Sequence, residues 1–290
     1  MIEKKSISRR NFAVLMQSPA FIILSVLSIY PLVYTLYYSF TNFYYISKDK
    51  MSFVGFKNYV DLCKNPYFIR AVINTIKFTI ACTVLETVAG IAVAVYVNGL
   101  KYFRKTIRTI ILLPNLLPPV TAALIWKIML SNNYGIINEF LKFMHIPVYN
   151  WFFDIRTAMP VIILIDVWQC MPFVFLLIYA SLQTVPQTLY EAARIDGANG
   201  WHEFCHITVP GISGAIVLCL LLRTIDSFRM FDKINILTGG GPANTTATIT
   251  QFIYTYGIKS LKFGYGSAGA VVMAIIVMLL SVQYIKRSIK

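Results

Sequence analysis

Glu86, Asp166, Arg223, Asp226 and Arg229 lie within stretches that are otherwise apolar, and Trp168, Gln169 and Ser227 lie beside them. A charge in hydrocarbon is costly unless it is paired or wet, so these side chains must point into a helical bundle or a cavity. Arg223, Asp226 and Arg229 recur every three residues and share one helical face, where Arg223 and Asp226 can neutralise each other. Two uses stand open: structural pairing, or the lining of a polar path. Carboxylate, amide and aromatic groups suit the hydroxyls and ring faces of a neutral polyhydroxylated solute better than they suit a lipid. Asp166, Trp168, Gln169, Asp226 and Ser227 are therefore the candidate path residues.

Catalysis finds no comparable constellation. Cys63, Cys82, Cys170, Cys205 and Cys219 stand singly, with no CxxC spacing and an odd count, and are expected to be inert. His202 and His206 are four apart, but no acid or thiol stands beside them at a metal-site spacing. No GxxxxGK[ST] phosphate loop is present, so nucleotide hydrolysis is not expected of this chain.

The elements that must position the charged residues are membrane spans. With 57% hydrophobic and 13% charged residues over 290 positions, the chain holds far more apolar surface than a soluble core needs. Its apolar blocks are about 20 residues long, the length that crosses a hydrocarbon core. Six spans are expected, near Pro19–Phe40, Thr75–Val97, Ile107–Leu130, Ala158–Leu182, Gly211–Met230 and Gly266–Ile285. The first is too long for a cleavable signal peptide and lacks a small-residue cleavage site. The +14 net charge has no soluble basic domain to carry it, which argues against nucleic acid. Basic residues flank the apolar blocks instead: Lys4, Lys5, Arg9 and Arg10; Lys101, Arg104 and Lys105; Lys286, Arg287 and Lys290. Their density places both termini, the 98–106 loop and the 183–210 segment in the cytoplasm. Residues 1–18 and 286–290 are then cytoplasmic tails around a membrane domain at 19–285.

Pro31, Pro114, Pro118, Pro119 and Pro172 fall in or at the ends of these blocks. Each removes a backbone hydrogen bond, which is tolerated where neighbouring helices or a wet cavity satisfy the freed carbonyl. The other departure from a plain bundle is the polar stretch Gln183–Pro210. Thr184 as cap, Pro186 at an early helical position and Gln187 three residues after the cap suggest a helix start. Gly197 is a C-terminal stop. Asn199 can cap a second short helix carrying Trp201, Phe204, Cys205 and Thr208, after which Pro210 opens the fifth span. A lipid-lying helix usually has a basic polar face, yet Arg194 is the only basic side chain from Gln183 to Pro210. Small alanines with Glu191 and Asp196 as acceptors suit a protein-docking surface better.

That stretch, Glu191-Ala-Ala-Arg-Ile-Asp-Gly-Ala-Asn-Gly-Trp201 with Phe204, Ile207 and Pro210, resembles the EAA loop of ABC importer permeases. The resemblance extends from about Pro31 onward. Phe53-Val-Gly55, Asn58-Tyr59, Asn74-Thr75, Pro114-Asn-Leu-Leu-Pro118-Pro119 with Trp126, and Gly135 with Asn138 are similar to the sugar-type members. Thr238-Gly-Gly-Gly-Pro242 and Phe263-Gly-Tyr-Gly266 with Ala268 resemble the first permease of maltose/glycerol-phosphate/lactose-type systems. The resemblance implies an all-α integral membrane protein with six transmembrane helices, in the type I ABC importer (MetI-like) permease fold with a cytoplasmic coupling helix. It implies a multi-pass subunit of the bacterial cytoplasmic membrane, paired with a second permease as a heterodimer. Two cytoplasmic ABC ATPase subunits holding ATP and Mg, and an extracellular solute-binding protein, complete the assembly; this chain binds no cofactor or metal. The cargo implied is a sugar, an oligosaccharide ahead of a monosaccharide, with glycerol phosphate or a polyol as alternative. Glu191, Ala192, Ala193, Asp196, Gly197, Ala198, Trp201 and Phe204 are the implied ATPase-coupling residues. An ion-coupled secondary transporter is the competing class, but no internal repeat of broken helices supports it.

Overall fold

The structure, a computed structural model, describes residues 9–46 and 51–288. Lys4, Lys5 and Lys290 lie outside the described residues, as do the side chains of Arg9, Arg10 and Arg287. The described chain is helical, with one isolated antiparallel bridge between Thr41 and Phe53. Helix α1 is Arg9–Ser39, α2 Lys57–Lys64, α3 Pro66–Gly99, α4 Arg104–Leu116, α5 Pro119–Met129, α6 Ile136–Phe143 and α7 Ala158–Leu182. Then follow α8, Gln187–Ile195, and α9, Gly200–Gly211, which contains a π turn at Phe204–Thr208. Helix α10 is Ser213–Phe228, α11 Asp232–Leu237, α12 Ile249–Ile253 continuing as a π turn Tyr254–Lys259, and α13 Phe263–Ser288.

Among the described residues, four segments are long and apolar enough to cross a membrane by themselves: Met16–Ser39 within α1, α3, α7, and Phe263–Tyr284 within α13. Two bent sets supply the rest if each counts as one span: α4 with α5, and α9 with α10 and α11. The fourth span coincides with its expected limits. The third does not run unbroken from Ile107 to Leu130; it turns by 94° between Leu116 and Pro119. Pro118 drives Leu117 into extended backbone, φ −75°, ψ 134°, and Pro119 then starts a new helix at the position where its missing N–H costs nothing. The fifth span is corrected similarly. Helix α9 continues through Pro210 to Gly211, a 66° bend falls at Ile212, and α10 opens at Ser213.

The chain divides into two compact units. One holds the described residues up to Cys63 together with Ile253–Val272. Here Asn58 Nδ2 donates to the carbonyls of Ser39 and Thr41, both at 2.8 Å, and Tyr59 Oη donates to Ser39 Oγ at 2.7 Å. These bonds tie α2 to the end of α1, while the Gly264 N–H donates to Phe43 O at 3.0 Å. The large apolar side chains of α1 from Met16 to Leu36 are exposed, as suits a helix whose solvent is lipid.

The other unit holds Lys64–Phe252 and the chain from Met273. Its axis is the pair α3 and α7. Phe78, Cys82, Glu86, Gly90 and Ala94 follow at steps of four along α3, so they line one helical face. One apolar cluster joins Phe78 and Cys82 to Val161, Ile162 and Ile165; a second joins Ala94 and Val97 to Val174, Phe175 and Ile178. Both helices pass from the first cluster to the second with increasing residue number, so they run parallel. Gly90 lets them touch: a Cβ there would lie 2.6 Å from Val174 Cγ1.

The connections at the Pro66 end of α3 are tied down by conspicuous polar residues. Asn74 Nδ2 donates to the carbonyls of Asn244 and Ala247, both at 3.0 Å, and Thr75 Oγ1 accepts from the Ile249 N–H at 2.9 Å. Two separate sequence motifs thus meet, the start of α3 and the segment after Thr238-Gly-Gly-Gly-Pro242. Lipid is as apolar as leucine, so this bundle depends on close packing and hydrogen bonds more than on hydrophobic burial. Replacing Gly90 by Leu should lower stability by about 1–3 kcal/mol through overpacking against Val174. Thermal unfolding in detergent reads this, and Val174→Gly in the same chain should restore part of the loss; a G90L chain as stable as the parent would contradict the contact.

Candidate functional site

Between the two apolar clusters lies a layer of charge. Glu86 on α3 accepts from Arg223 on α10, at 2.5 Å from Nε and 3.2 Å from Nη2. Asp166 on α7 is bonded to Lys233 Nζ on α11 and lies 3.7 Å from Arg223 Nη2. All four residues are buried. Two carboxylates and two cations balance, so the layer is neutral as a whole though each member is charged. Alone, any one would be prohibitive at membrane depth; together they exchange desolvation for short-range Coulomb attraction. Four helices are held by one network.

Arg223 and Asp226 do meet on their own helix, Asp226 Oδ2 lying 3.5 Å from Arg223 Nη1, but the tighter partner of Arg223 is Glu86, 137 residues away. Asp226 is half exposed and also meets Arg229 at 3.2 Å. Cys82 Sγ lies with Glu86 and Asp166 oxygens in a group whose atoms are all within 4.8 Å. Those carboxylates already face Arg223 and Lys233, so a divalent cation would have to displace both.

The candidate path residues are not alike. Asp166, Gln169 and Ser227 are buried. Gln169 Nε2 donates to the Leu117 carbonyl at 2.7 Å, the group released by the break in the third span. Trp168 is half-buried and stands edge-on to Trp126, ring centroids 5.4 Å apart. Lys233 was missed. It follows Arg229 in a stretch taken as loop, and only the apolar Ile234, Ile236 and Leu237 behind it hint that α11 turns back into the core.

At the other end of α7 the chain builds an exposed helical hairpin from α8 and α9. Thr184 is not its cap: its hydroxyl donates back to Ser181 O at 2.8 Å, and Pro186 precedes the first helical residue without a side-chain bond. A threonine next to a helix end competes for the nearer carbonyl. The C-terminal end behaves as expected. Gly197 has φ +81°, its N–H donates to Arg194 O at 3.2 Å, and the Ala198 N–H donates to Ala193 O at 2.9 Å, a Schellman closure. Asn199 Oδ1 accepts from the His202 N–H at 2.8 Å and caps α9.

Few contacts brace the two helices against each other. Arg194 Nε donates to Glu203 Oε1 at 2.9 Å, a hydrogen bond that with the adjacent charge raises the guanidinium pKa. Tyr190 Oη meets Thr208 Oγ1 at 3.1 Å. Helix α8 buries no residue at all. Glu191 and Asp196 are exposed, and Ile195 and Trp201 are 87% and 73% exposed. Of Trp201, Phe204, Cys205 and Thr208 on α9, Thr208 is buried while Trp201 stands out, with a π turn at Phe204–Thr208. Gln183 Nε2 donates to Asn98 Oδ1 at 2.7 Å, fixing the hairpin at the same end as Lys101, Arg104 and Lys105.

Residues 86–286 match the family described as binding-protein-dependent transport system inner membrane component. The trehalose/maltose transport system permease protein MalF of Thermococcus litoralis is 35% identical over 81% of this chain and 79% of its own. The sulfoquinovosyl glycerol transport system permease protein SmoG of Agrobacterium fabrum is 34% identical over 96% of this chain and 90% of its own. A chain from the crystal structure of a bacterial ABC transporter that imports the acidic polysaccharide alginate shares the fold, with a TM-score of 0.84 at 22% identity, covering 97% of this chain and 96% of that one.

Removing one member of the charge layer leaves its partner buried and uncompensated. Arg223→Met or Lys233→Met should each cost about 3–5 kcal/mol of stability. The charge-balanced pair Glu86→Gln with Arg223→Met should cost less than R223M alone. Unfolding midpoints in detergent check this; a double variant no better than the single would contradict the pairing.

Proposed function

Because the chain belongs to the family of binding-protein-dependent transport system inner membrane components, we propose that it is one permease subunit of an ATP-driven sugar importer, coupled to its ATPase through the α8–α9 hairpin. The observation that carries the docking reading is the hairpin's exposure. A permease has no reason to set Ile195 and Trp201 in water beside Glu191 and Asp196 unless another protein covers them. Acidic acceptors on a small-residue surface suit a groove with basic donors, and the alanines admit close approach.

Orientation follows from the same end of the molecule. The hairpin shares its end with Lys101, Arg104 and Lys105, and basic residues favour the cytoplasmic side. The N- and C-termini then lie in the cytoplasm too, and the Thr238–Pro242 loop faces outward. Two ATPase subunits holding ATP and Mg would dock from inside, one on this chain and one on a second permease paired with it as a heterodimer. A solute-binding protein would deliver cargo from outside; one alginate importer structure holds a periplasmic protein bound to an alginate pentasaccharide.

A sugar cargo is supported by the names of relatives, which transport trehalose or maltose, sulfoquinovosyl glycerol and starch degradation products. An oligosaccharide fits that range best. Among the path candidates, Trp168 and Asp226 offer accessible atoms, an aromatic face and a carboxylate. Asp166, Gln169 and Ser227 are buried and would meet a solute only when the spans move.

Closure of the ATPase pair would push on α8, and the short connection from Leu182 to Gln187 passes that push straight into α7. The bend at Ile212 passes it into α10. Glu191→Lys should abolish uptake at least tenfold while ATP hydrolysis continues, and Gly197→Val should do the same by straining a left-handed position. Both effects are read in proteoliposomes that contain all subunits. Uptake and ATPase co-purification at parental levels in both variants would overturn the docking assignment.

A further inference from the structure

At the hairpin end of the bundle, the turn from α3 into α4 is rich in cations and has no acid. Lys101, Arg104, Lys105 and Arg108 follow closely, while from Thr87 to Asn138 the sequence holds no aspartate or glutamate. Among the described residues none of the four forms a salt bridge, with Glu191, Asp196 or Glu203 of the hairpin or with any other acid. Arg104 holds the turn itself: Nε and Nη2 donate to Leu100 O at 3.0 and 2.6 Å, and Nη2 donates to Asn98 O at 2.9 Å. Arg108 carries its guanidinium over the Tyr179 ring, 5.0 Å from its centre. Lys101 and Lys105 are exposed, and the rings of Tyr102 and Phe103 between them are 78% and 79% exposed.

Contacts with α7 set the depth of these groups. Arg108 lies beside Tyr179, one turn from the end of α7 at Leu182, and the Leu117 carbonyl lies beside Gln169, deep in the span. Helix α4 therefore runs antiparallel along α7, and at 1.5 Å per residue Leu117 sits roughly 20 Å inward of Leu182. Helix α7 has 25 residues, about 37 Å, against a hydrocarbon core of about 30 Å, so each end overhangs the core by about one turn. Arg108 then falls at the hydrocarbon boundary, Lys105 one turn outside it, and the stretch from Thr109 to Leu117 inside. Asn98, bonded to Gln183 just past the end of α7, sets Lys101 at headgroup level too. Within the core α4 has two faces. Ile107, Ile111 and Leu112 pack on the second apolar cluster, whereas Ile110, Leu113 and Leu116 are exposed. The Thr109 hydroxyl donates to Lys105 O at 3.1 Å and leaves that face apolar.

We propose that the α3–α4 turn and the exposed face of α4 bind an anionic phospholipid, with its phosphate held by Lys101 and Lys105 and an acyl chain laid along Ile110, Leu113 and Leu116. Cations at the phosphate plane without carboxylate partners attract acidic headgroups. Tyr102 and Phe103 stand at the same level, where aromatic rings anchor a chain in the interface. The lipid is anionic and not zwitterionic because choline or ethanolamine would bring a further cation to a turn that has no acid to receive it. Such a lipid would hold one end of α4, as Gln169 holds the other at the break of the third span. The proposal requires only that α7 spans the membrane, and does not depend on the cargo or on the ATPase.

Photolabelling tests the site, with the full chain and the subunits that accompany it in phosphatidylcholine vesicles. The probes are phosphatidylglycerol and phosphatidylcholine carrying the same photoactivatable acyl chain, each added as a minor component. The phosphatidylglycerol probe should label residues 109–116 about thirty-fold more than the phosphatidylcholine probe, the product of two interfacial cations. Lys101→Gln with Lys105→Gln should bring the two probes level. The charge-preserving K101R with K105R should keep the preference, and Arg156→Gln, ahead of α7 at its opposite end, should leave it unchanged. Equal labelling by the two probes in the parent, or a preference that survives the double Gln change, would overturn the proposal. So would the absence of labelling at 109–116 by either probe, which would show that another subunit covers this face.

Discussion

The Glu86–Arg223 and Asp166–Lys233 pairs form the constraint on which the rest of the spanning core depends. They join α3, α7, α10 and α11 at one level, between two apolar clusters that could each pack in other registers. Apolar side chains in lipid gain little from choosing one neighbour over another. Charges at membrane depth choose strictly, because a mismatched register leaves an ion without its partner. The layer therefore acts as a register mark, and Gly90 against Val174, one turn beyond Glu86, lets the helices close on it.

A transporter needs parts that move as well as a core that does not. The bends supply them. At Leu117 and at Ile212 the backbone leaves the helix; Gln169 of α7 answers the freed carbonyl at the first, and the Ser213 hydroxyl donates to Pro210 O beside the second. Next in sequence to Gln169, Trp168 stands against Trp126, and Asp226 meets Arg223 of the charge layer. Under the coupling proposed above, a push on the α8–α9 hairpin would reach these residues through α7 and α10. Other loops, by contrast, are stapled within each unit, by Asn58 in one and, at the opposite end from the hairpin, by Asn74 and Thr75 in the other.

Much of this was legible in the chain itself. Apolar block length located the spans, and α7 agreed with its expected limits because Pro160 falls in its first turn, where a missing N–H costs nothing, and Pro172 does not break it. Gly197 and Asn199 announced a helix stop and a helix cap, since each residue type has a physical reason to be there. Three things were not legible. Pairing was sought within one helix, where spacing is visible, whereas Arg223 found Glu86 across the bundle. Lys233 lay beyond an apolar block and looked like loop. The double proline was expected to kink a span, yet it turns the chain by 94°, because the extended backbone before Pro118 and the restart at Pro119 add. Each miss comes from tertiary geometry overruling a local signal.

The central claim is that this permease transmits work from an exposed hairpin into a core fixed by buried charge. Hydrogen exchange of the reconstituted permease, measured with and without its ATPase subunit, tests it most directly. The account predicts that amides from Glu191 to Trp201 become protected when the ATPase is present, while those around Glu86 and Asp166 stay slow in both states. Unchanged exchange in the hairpin, or rapid exchange around the charge layer, would contradict it.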